Sequence, residues 1–423
     1  FLGSEAGKGG TTSAPYSSGQ NNTAVGYQAL DAFTTGYENV AIGGGAGGAL
    51  TTGYTSTFVG YAAGQSVTTA GNNNYFGYAA GNGTTGGGNV GIGNHVMKNG
   101  AGAAADNTAV GGGSLYAITT GTKNTTLGQS TGETLTTTSN TVLIGYQAGK
   151  AINSADADGT IAIGYNAGTS ITSGQKNTII GYNAGDALVD GDASTIVGYE
   201  AGTALAVTGA RGSTLVGQEA GKALTQGGNN TAIGRGALKT QTTGNSNVAI
   251  GDQAMQYTPA STAITSVVAI GPSALGDGSG MSTTGNNSVA IGNAAGNNVK
   301  NLAGEFVIIG NNAGQKINGT GVTHIGYQAG TFATGSNNTF VGTEAGYGGA
   351  TSAPFSSGVN NTAVGYQALT AFTTGGSNTA MGRKALEDVS SGGYNVAVGN
   401  EAGLNLTTGG ENVFLGISAG GNT

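Results

Sequence analysis

The chain has 423 residues, of which 86 are Gly, none is Cys and only 8% are charged, with a formal net charge of −7. Average domains carry roughly 7% Gly and about 25% charged residues, so an ordinary enzyme domain is disfavoured; disorder is disfavoured as well, because Val, Ile and Thr abound here. Only 13 Lys and Arg are present, too few for a basic stripe that would neutralise phosphates or an anionic membrane, and without Cys there are no disulfides or thiolate metal sites.

Read in chain order, the first recurring phrase is "NTAVGYQA" at Asn22–Ala29. It returns as "ENVAIGGGAG" from Glu38, "NTVLIGYQAG" from Asn140, "GTIAIGYNAG" from Gly159, "SNVAIGDQAM" from Ser246, "NSVAIGNAAG" from Asn287 and "ENVFLGISAG" from Glu411. Each phrase turns on a Gly after an apolar pair. These anchors run from Gly3 to Gly416, through Gly26, Gly43, Gly145, Gly164, Gly251 and Gly292; they number 24, most of them 17 residues apart. Three residues after the anchor comes Ala, as at Ala29 and Ala148, except at Val96, Ser114 and Thr131; four after comes Gly or one bulky residue such as Leu30, Met97 or Leu386. A column that admits only Ala implies crowding inside a narrow stack, and a Gly column implies a corner or close backbone approach.

Before each anchor stands a short alternating piece, such as Thr23-Ala24-Val25 or Val248-Ala249-Ile250. Period-2 alternation of β-branched residues between Gly, Asn and Thr predicts a short strand. A repeat of this length holds two such strands and two turns, one coil of an all-β parallel solenoid or β-roll. At about 4.8 Å per coil, 24 coils predict a rod of roughly 115 Å. The interior of one coil is thin, so further burial by side-by-side association, most simply a homotrimer, is expected; a single-chain solenoid held by Asn and Thr ladders is the competing reading.

The phrases "NSVAIGNAAG" and "SNVAIGDQAM" resemble the head repeats of trimeric autotransporter adhesins. Ser288, Val289, Ala290, Ile291 and Gly292 match that motif position by position, and Val248, Ile250 and Gly251 carry it again. The spelling "NNTAVGYQAL" is also similar to repeat arrays of phage and virus tail-fibre proteins. The resemblance covers essentially the whole chain, and it implies a left-handed parallel β-roll with three chains intertwined around one axis. The 423 residues themselves are expected to be repeat shaft alone, without the neck motif, heptad stalk, membrane-anchor barrel or chaperone domain that such families carry.

A longer period overlies the short one. "SAPYSSGQNNTAVGYQAL" at Ser13–Leu30 reappears as "SAPFSSGVNNTAVGYQAL" at Ser352–Leu369, an offset of 339 residues or 19 coils. The chain is therefore expected to be one continuous array, 1–423, with a super-repeat over 1–339 and a second copy from 340, a window onto a longer fibre. In both copies the turn between consecutive anchors is enlarged, with Pro15 and Tyr16 in the first and Pro354 and Phe355 in the second, which makes these loops candidate recognition elements.

Chemistry-bearing residues are sparse. His95 and His324 have no convergent partners in the sequence; the "GYQAGKA" and "GQEAGKA" phrases at Gly145 and Gly217 have one residue too few to be phosphate loops. The acidic clusters "NSADADGT" and "LVDGDAS" read as solvated turns, the Tyr after many anchors as cross-coil stacking, and the Asn-x-Thr triplets as amide ladders. No catalytic, cofactor or metal residue is expected, and the chain is not expected to be an enzyme. The function that best fits is an extracellular fibre or adhesin shaft on a virion or cell surface, which partners itself and a host receptor or glycan, without nucleic acid or membrane insertion. An ice-binding or other ligand-binding monomeric solenoid is the alternative.

Overall fold

Each coil is built around a strand of three or four residues that ends at an anchor glycine. In a computed structural model of the chain, the described residues are 1–10, 17–205, 212–257, 264–276, 286–299, 305–349 and 355–421. They form an all-β parallel solenoid of about 21 turns, with a single 3-10 turn at Ala155–Ala157. Two compact units are present, Phe1–Gly212 and Ser213–Thr423. The first holds strands from β1 (Thr23–Val25) and β2 (Val40–Ile42) to β11 (Thr195–Val197); the second runs from β12 (Thr214–Val216) to β23 (Val413–Leu415).

Within each unit, successive strands pair in parallel with like positions side by side. Thr23, Ala24 and Val25 face Val40, Ala41 and Ile42, and the same register joins Val268, Ala269 and Ile270 to Val289, Ala290 and Ile291. The expected second strand per coil does not form among the described residues. The other walls are turns tied coil to coil by hydrogen bonds such as Thr51 N to Thr68 O (2.7 Å), with isolated bridges at Thr84–Gly102 and Gln226–Thr243. Those walls are Gly- and Thr-rich and lack the alternation that a strand needs.

The anchor is glycine for two reasons that act together. Its φ is +133° at Gly292, and a Cβ there would lie 2.5 Å from the carbonyl oxygen of Gly310 in the next coil. Gly26, Gly43, Gly145, Gly164 and Gly251 share this geometry, each facing the next anchor. The Ala column, including Ala29 and Ala148, is fully buried in every coil but the two end ones, where Ala6 and Ala419 are half-buried. Its three departures are compensated: Val96 fills the space over Gly91, Ser114 shares a 2.7 Å hydrogen bond with Thr126, and the Thr131 hydroxyl donates to Gly145 O (2.6 Å).

The fourth position follows a packing rule. The eight coils with Leu or Met there have Ala or Gly at the strand centre, as in Ala24 with Leu30 and Gly91 with Met97. The eleven coils with a bulky strand centre, such as Phe1, Phe58, Leu143 or Phe414, have Gly at their own fourth position, and the ten of them that follow another coil have Gly in that coil too. The reason lies in the interior. Phe58 packs directly over Gly64 of its own coil, and a Cβ on Gly47, one coil earlier, would lie 2.9 Å from Phe58 and 2.9 Å from Leu30. A coil's core takes at most one of these two bulky groups, from the strand or from the turn, and coils such as Ala41 with Gly47 take neither.

A buried amide ladder closes each interior. The Asn39 side chain donates to Asn22 Oδ1 (3.1 Å) and Gly53 O (2.9 Å), and its own Oδ1 accepts from Ser56 N. In the second unit Asn361, Asn378, Asn395 and Asn412 continue the same pattern. These amides are satisfied donors and acceptors, as burial demands.

Candidate functional site

Strand alternation sends the central residue into the coil and its neighbours to the outer face of the sheet. Val289 and Ile291 are half-buried on that face, whereas Ala290 is fully buried. Register turns these positions into lines: in the second unit Ile250, Ile270, Ile291 and Ile309 stand side by side, next to Val248, Val268, Val289 and Val307. In the first unit the corresponding line includes Ile42, Ile92 and Leu127, which are 41%, 43% and 49% exposed. A sheet face lined with aliphatic groups in water marks an interaction surface when it is contiguous.

Beside this line runs an aromatic one, from the residue after the anchor. Tyr146, Tyr165, Tyr182 and Tyr199 form a continuous stack with ring centroids 5.2, 5.2 and 5.4 Å apart. Tyr61 and Tyr78 stack at 5.5 Å, and His95 meets Tyr78 edge-on at 5.2 Å. Parallel coils place identical residues one strand spacing apart, so offset stacking follows from register and contributes about 0.5–1.5 kcal/mol per pair. All four rings of the longer stack remain exposed at their outer faces.

His324 is buried at a strand centre and stacks on Phe340 at 4.9 Å. Burial pushes its pKa down to about 3, so it is a neutral core group. Burial, with a contribution from Lys98, also lowers the pKa of His95. Among the described residues, no three His, Cys, Asp or Glu side chains cluster as metal ligands. In the phosphate-loop-like turn at Gly145, the Gln147, Gly149 and Ala151 amides already donate to Gln129, Ala167 and Thr169 carbonyls, and Lys150 pairs with Glu133 at 3.3 Å. Of the acidic turns, Asp158 accepts from Ser139 N (2.6 Å) and Asp192 from Gln175 N (3.1 Å), each capping the neighbouring coil.

The Asn-x-Thr triplets divide in two. Asn124 is a buried ladder amide, but in "NNT" triplets the first residue, Asn21 or Asn360, is exposed and only the second joins the ladder. Of the enlarged loops, Pro15, Tyr16 and Pro354 lie outside the described residues. Phe355 is half-buried and its ring stacks on Phe332 at 5.9 Å.

No family model matches the chain, and no curated protein matches it. The surfaces must therefore carry the functional argument.

Proposed function

We propose that the chain is a shaft segment of a homotrimeric extracellular fibre or adhesin, carried on a virion or cell surface, in which three chains pair through the outer sheet face. In this reading the array has 24 coils and winds as a left-handed β-roll, like the adhesin heads and tail-fibre repeats its sequence resembles. The carrying observation is the in-register aliphatic line with members such as Leu127 and Met381 nearly half exposed. Association would bury it, and homomeric interfaces are rich in such groups. Sedimentation equilibrium tests this: a mass three times 40.7 kDa is expected, reduced to one chain by Ile250→Glu with Ile270→Glu. A monomeric wild-type chain overturns the trimer.

One observation favours the ice-binding alternative. The register aligns Thr323, Thr339, Thr362 and Thr379 at the first strand position, a regular hydroxyl line on the outer sheet face. Thermal hysteresis abolished by Thr339→Val with Thr362→Val would support that reading over the fibre.

A further inference from the structure

On the turn edge of the second unit lies an open groove of about 650 Å³, lined by Asn360, Ser377, Ser391, Tyr394 and Glu411 over a floor of Val359, Gly376, Gly393 and Gly410. Three features mark it as a binding surface.

The first is the floor. In several other coils the amide N–H at this position is capped by the side chain at the same position of the next coil: Gln175 N donates to Asp192 Oδ1, Gly228 N to Asn245 Oδ1, Thr320 N to Ser336 Oγ; the N–H groups of Tyr37, Tyr54 and Gly71 in the first unit have no such cap. After Val359 the next three coils carry Gly there, so no such cap exists. The N–H groups of Val359, Gly376 and Gly393 donate to no other described residue. They form a row of open donors one coil apart, about 4.8 Å by the strand spacing.

The second feature is Tyr394. It is the most exposed Tyr of the described residues, at 71%, and it sits at φ +60°, in the left-handed region. Equivalent positions hold residues such as Asn360, Ser377 and Glu411. A bulky ring in this conformation is uncommon and costs about 1–2 kcal/mol, yet the ring gains no stacking partner of the kind that holds the Tyr column.

The third is recurrence. The edge 339 residues earlier bears a smaller hollow, about 270 Å³, lined by Gln20, Asn21, Tyr37 and Glu38; Gln20 and Asn21 occupy the places of Val359 and Asn360. Tyr37 there stacks on Tyr54 at 5.5 Å, so the aromatic surface is present in both.

We infer that this edge is a carbohydrate-binding groove for neutral polysaccharide chains. An exposed Tyr ring offers an apolar platform for the C–H face of a pyranose. The row of backbone N–H groups, with the Asn360 amide, the Ser377 and Ser391 hydroxyls and the Glu411 carboxylate, matches ring hydroxyls that both donate and accept. No Lys or Arg lines the groove, which disfavours sulfated or uronic polymers. One chain builds it, so it stands whether or not the sheet faces pair.

Affinity electrophoresis of the full chain through gels containing galactomannan, xylan, dextran or alginate provides the test. Retardation by at least one neutral polymer is expected. Tyr394→Ala should weaken it at least tenfold, and Tyr37→Ala combined with Tyr394→Ala should remove what remains. Gly393→Asp should also weaken it, by restoring a cap on the Gly376 N–H while the platform stays in place; unchanged circular dichroism shows that the coils persist. Retardation by alginate alone, by none of the polymers, or unaffected by Tyr394→Ala overturns the inference.

Discussion

Exchanging bulk between two coils tests the core-packing rule most sharply, through Gly47→Leu and Phe58→Ala. Phe58 is fully buried, and its truncation removes a core aromatic ring, which costs about 3–5 kcal/mol. Gly47→Leu places a side chain between Leu30 and Phe58, each 2.9 Å from the new Cβ; overpacking costs roughly 1–3 kcal/mol and the left-handed φ of +58° about 1–2 kcal/mol more. Together the two single changes would cost roughly 5–10 kcal/mol if they were independent. In the double variant the introduced leucine side chain occupies the space left by the Phe58 ring. The coil then has Ala41 with a bulky fourth residue, the arrangement of Ala24 with Leu30, while the coil ending in Gly64, now with a small strand centre, becomes the spacer before Tyr75. Only the φ cost should persist, so a coupling energy of about 4 kcal/mol or more is expected from a double-mutant cycle in guanidinium denaturation. Coupling within about 0.5 kcal/mol of zero would refute the rule, because the two positions would then be independent.

Three other outcomes follow from the geometry. Gly292→Ala should cost about 2–4 kcal/mol through its φ and its contact with Gly310, whereas Gly416→Ala, with nothing within 4 Å of its Cβ, should cost less than half as much in the same melting experiment. Asn378→Ser should be tolerated at about 1 kcal/mol, since Ser56 and Ser194 hold that ladder position elsewhere; Asn378→Asp, which cannot donate to Gly392 O, should cost about 2–4 kcal/mol, read from denaturation midpoints at pH 7. His324 stays neutral when folded, with its pKa lowered from 6.5 to about 3, while the unfolded chain takes up the proton near 6.5. Its contribution is therefore complete above that pH and falls by ~1.4 kcal/mol per unit between 6.5 and about 3; His324→Phe should flatten this slope, and an unchanged slope would show that the carboxylates alone set it.

Much of this architecture is legible in the residues because each coil repeats one problem. The anchor column predicted a close backbone approach, and Gly292 against Gly310 supplies it. The Ala column predicted a crowded interior, and Ala29 and Ala148 are buried there. Reading one repeat at a time also has limits. The expected second strand is absent among the described residues because the wall residues lack alternation, and the exceptions at Val96, Ser114 and Thr131 make sense only beside Gly91, Thr126 and Gly145. The two-coil range of the fourth-position rule likewise requires knowing that Phe58 reaches back to Gly47. The groove was hidden for a related reason: an uncapped N–H is the absence of a side chain in the next coil, and "GG" in a turn resembles any other turn.

The fourth-position rule also gives the array a grammar with a direction. A coil with a bulky turn can follow one with a bulky strand directly, as Gly91 with Met97 follows Tyr75; the reverse order always passes through a spacer such as Ala41 with Gly47, Ala290 with Gly296 or Ala397 with Gly403. Coils are therefore not interchangeable beads. When arrays of this kind lengthen or shrink by unequal recombination, a duplicated block is viable only if its first coil fits the class of the coil it lands behind. Whole blocks that begin and end in compatible classes, like the 339-residue period, can be copied intact, while single coils cut out at random would often bring a large ring against a large aliphatic group.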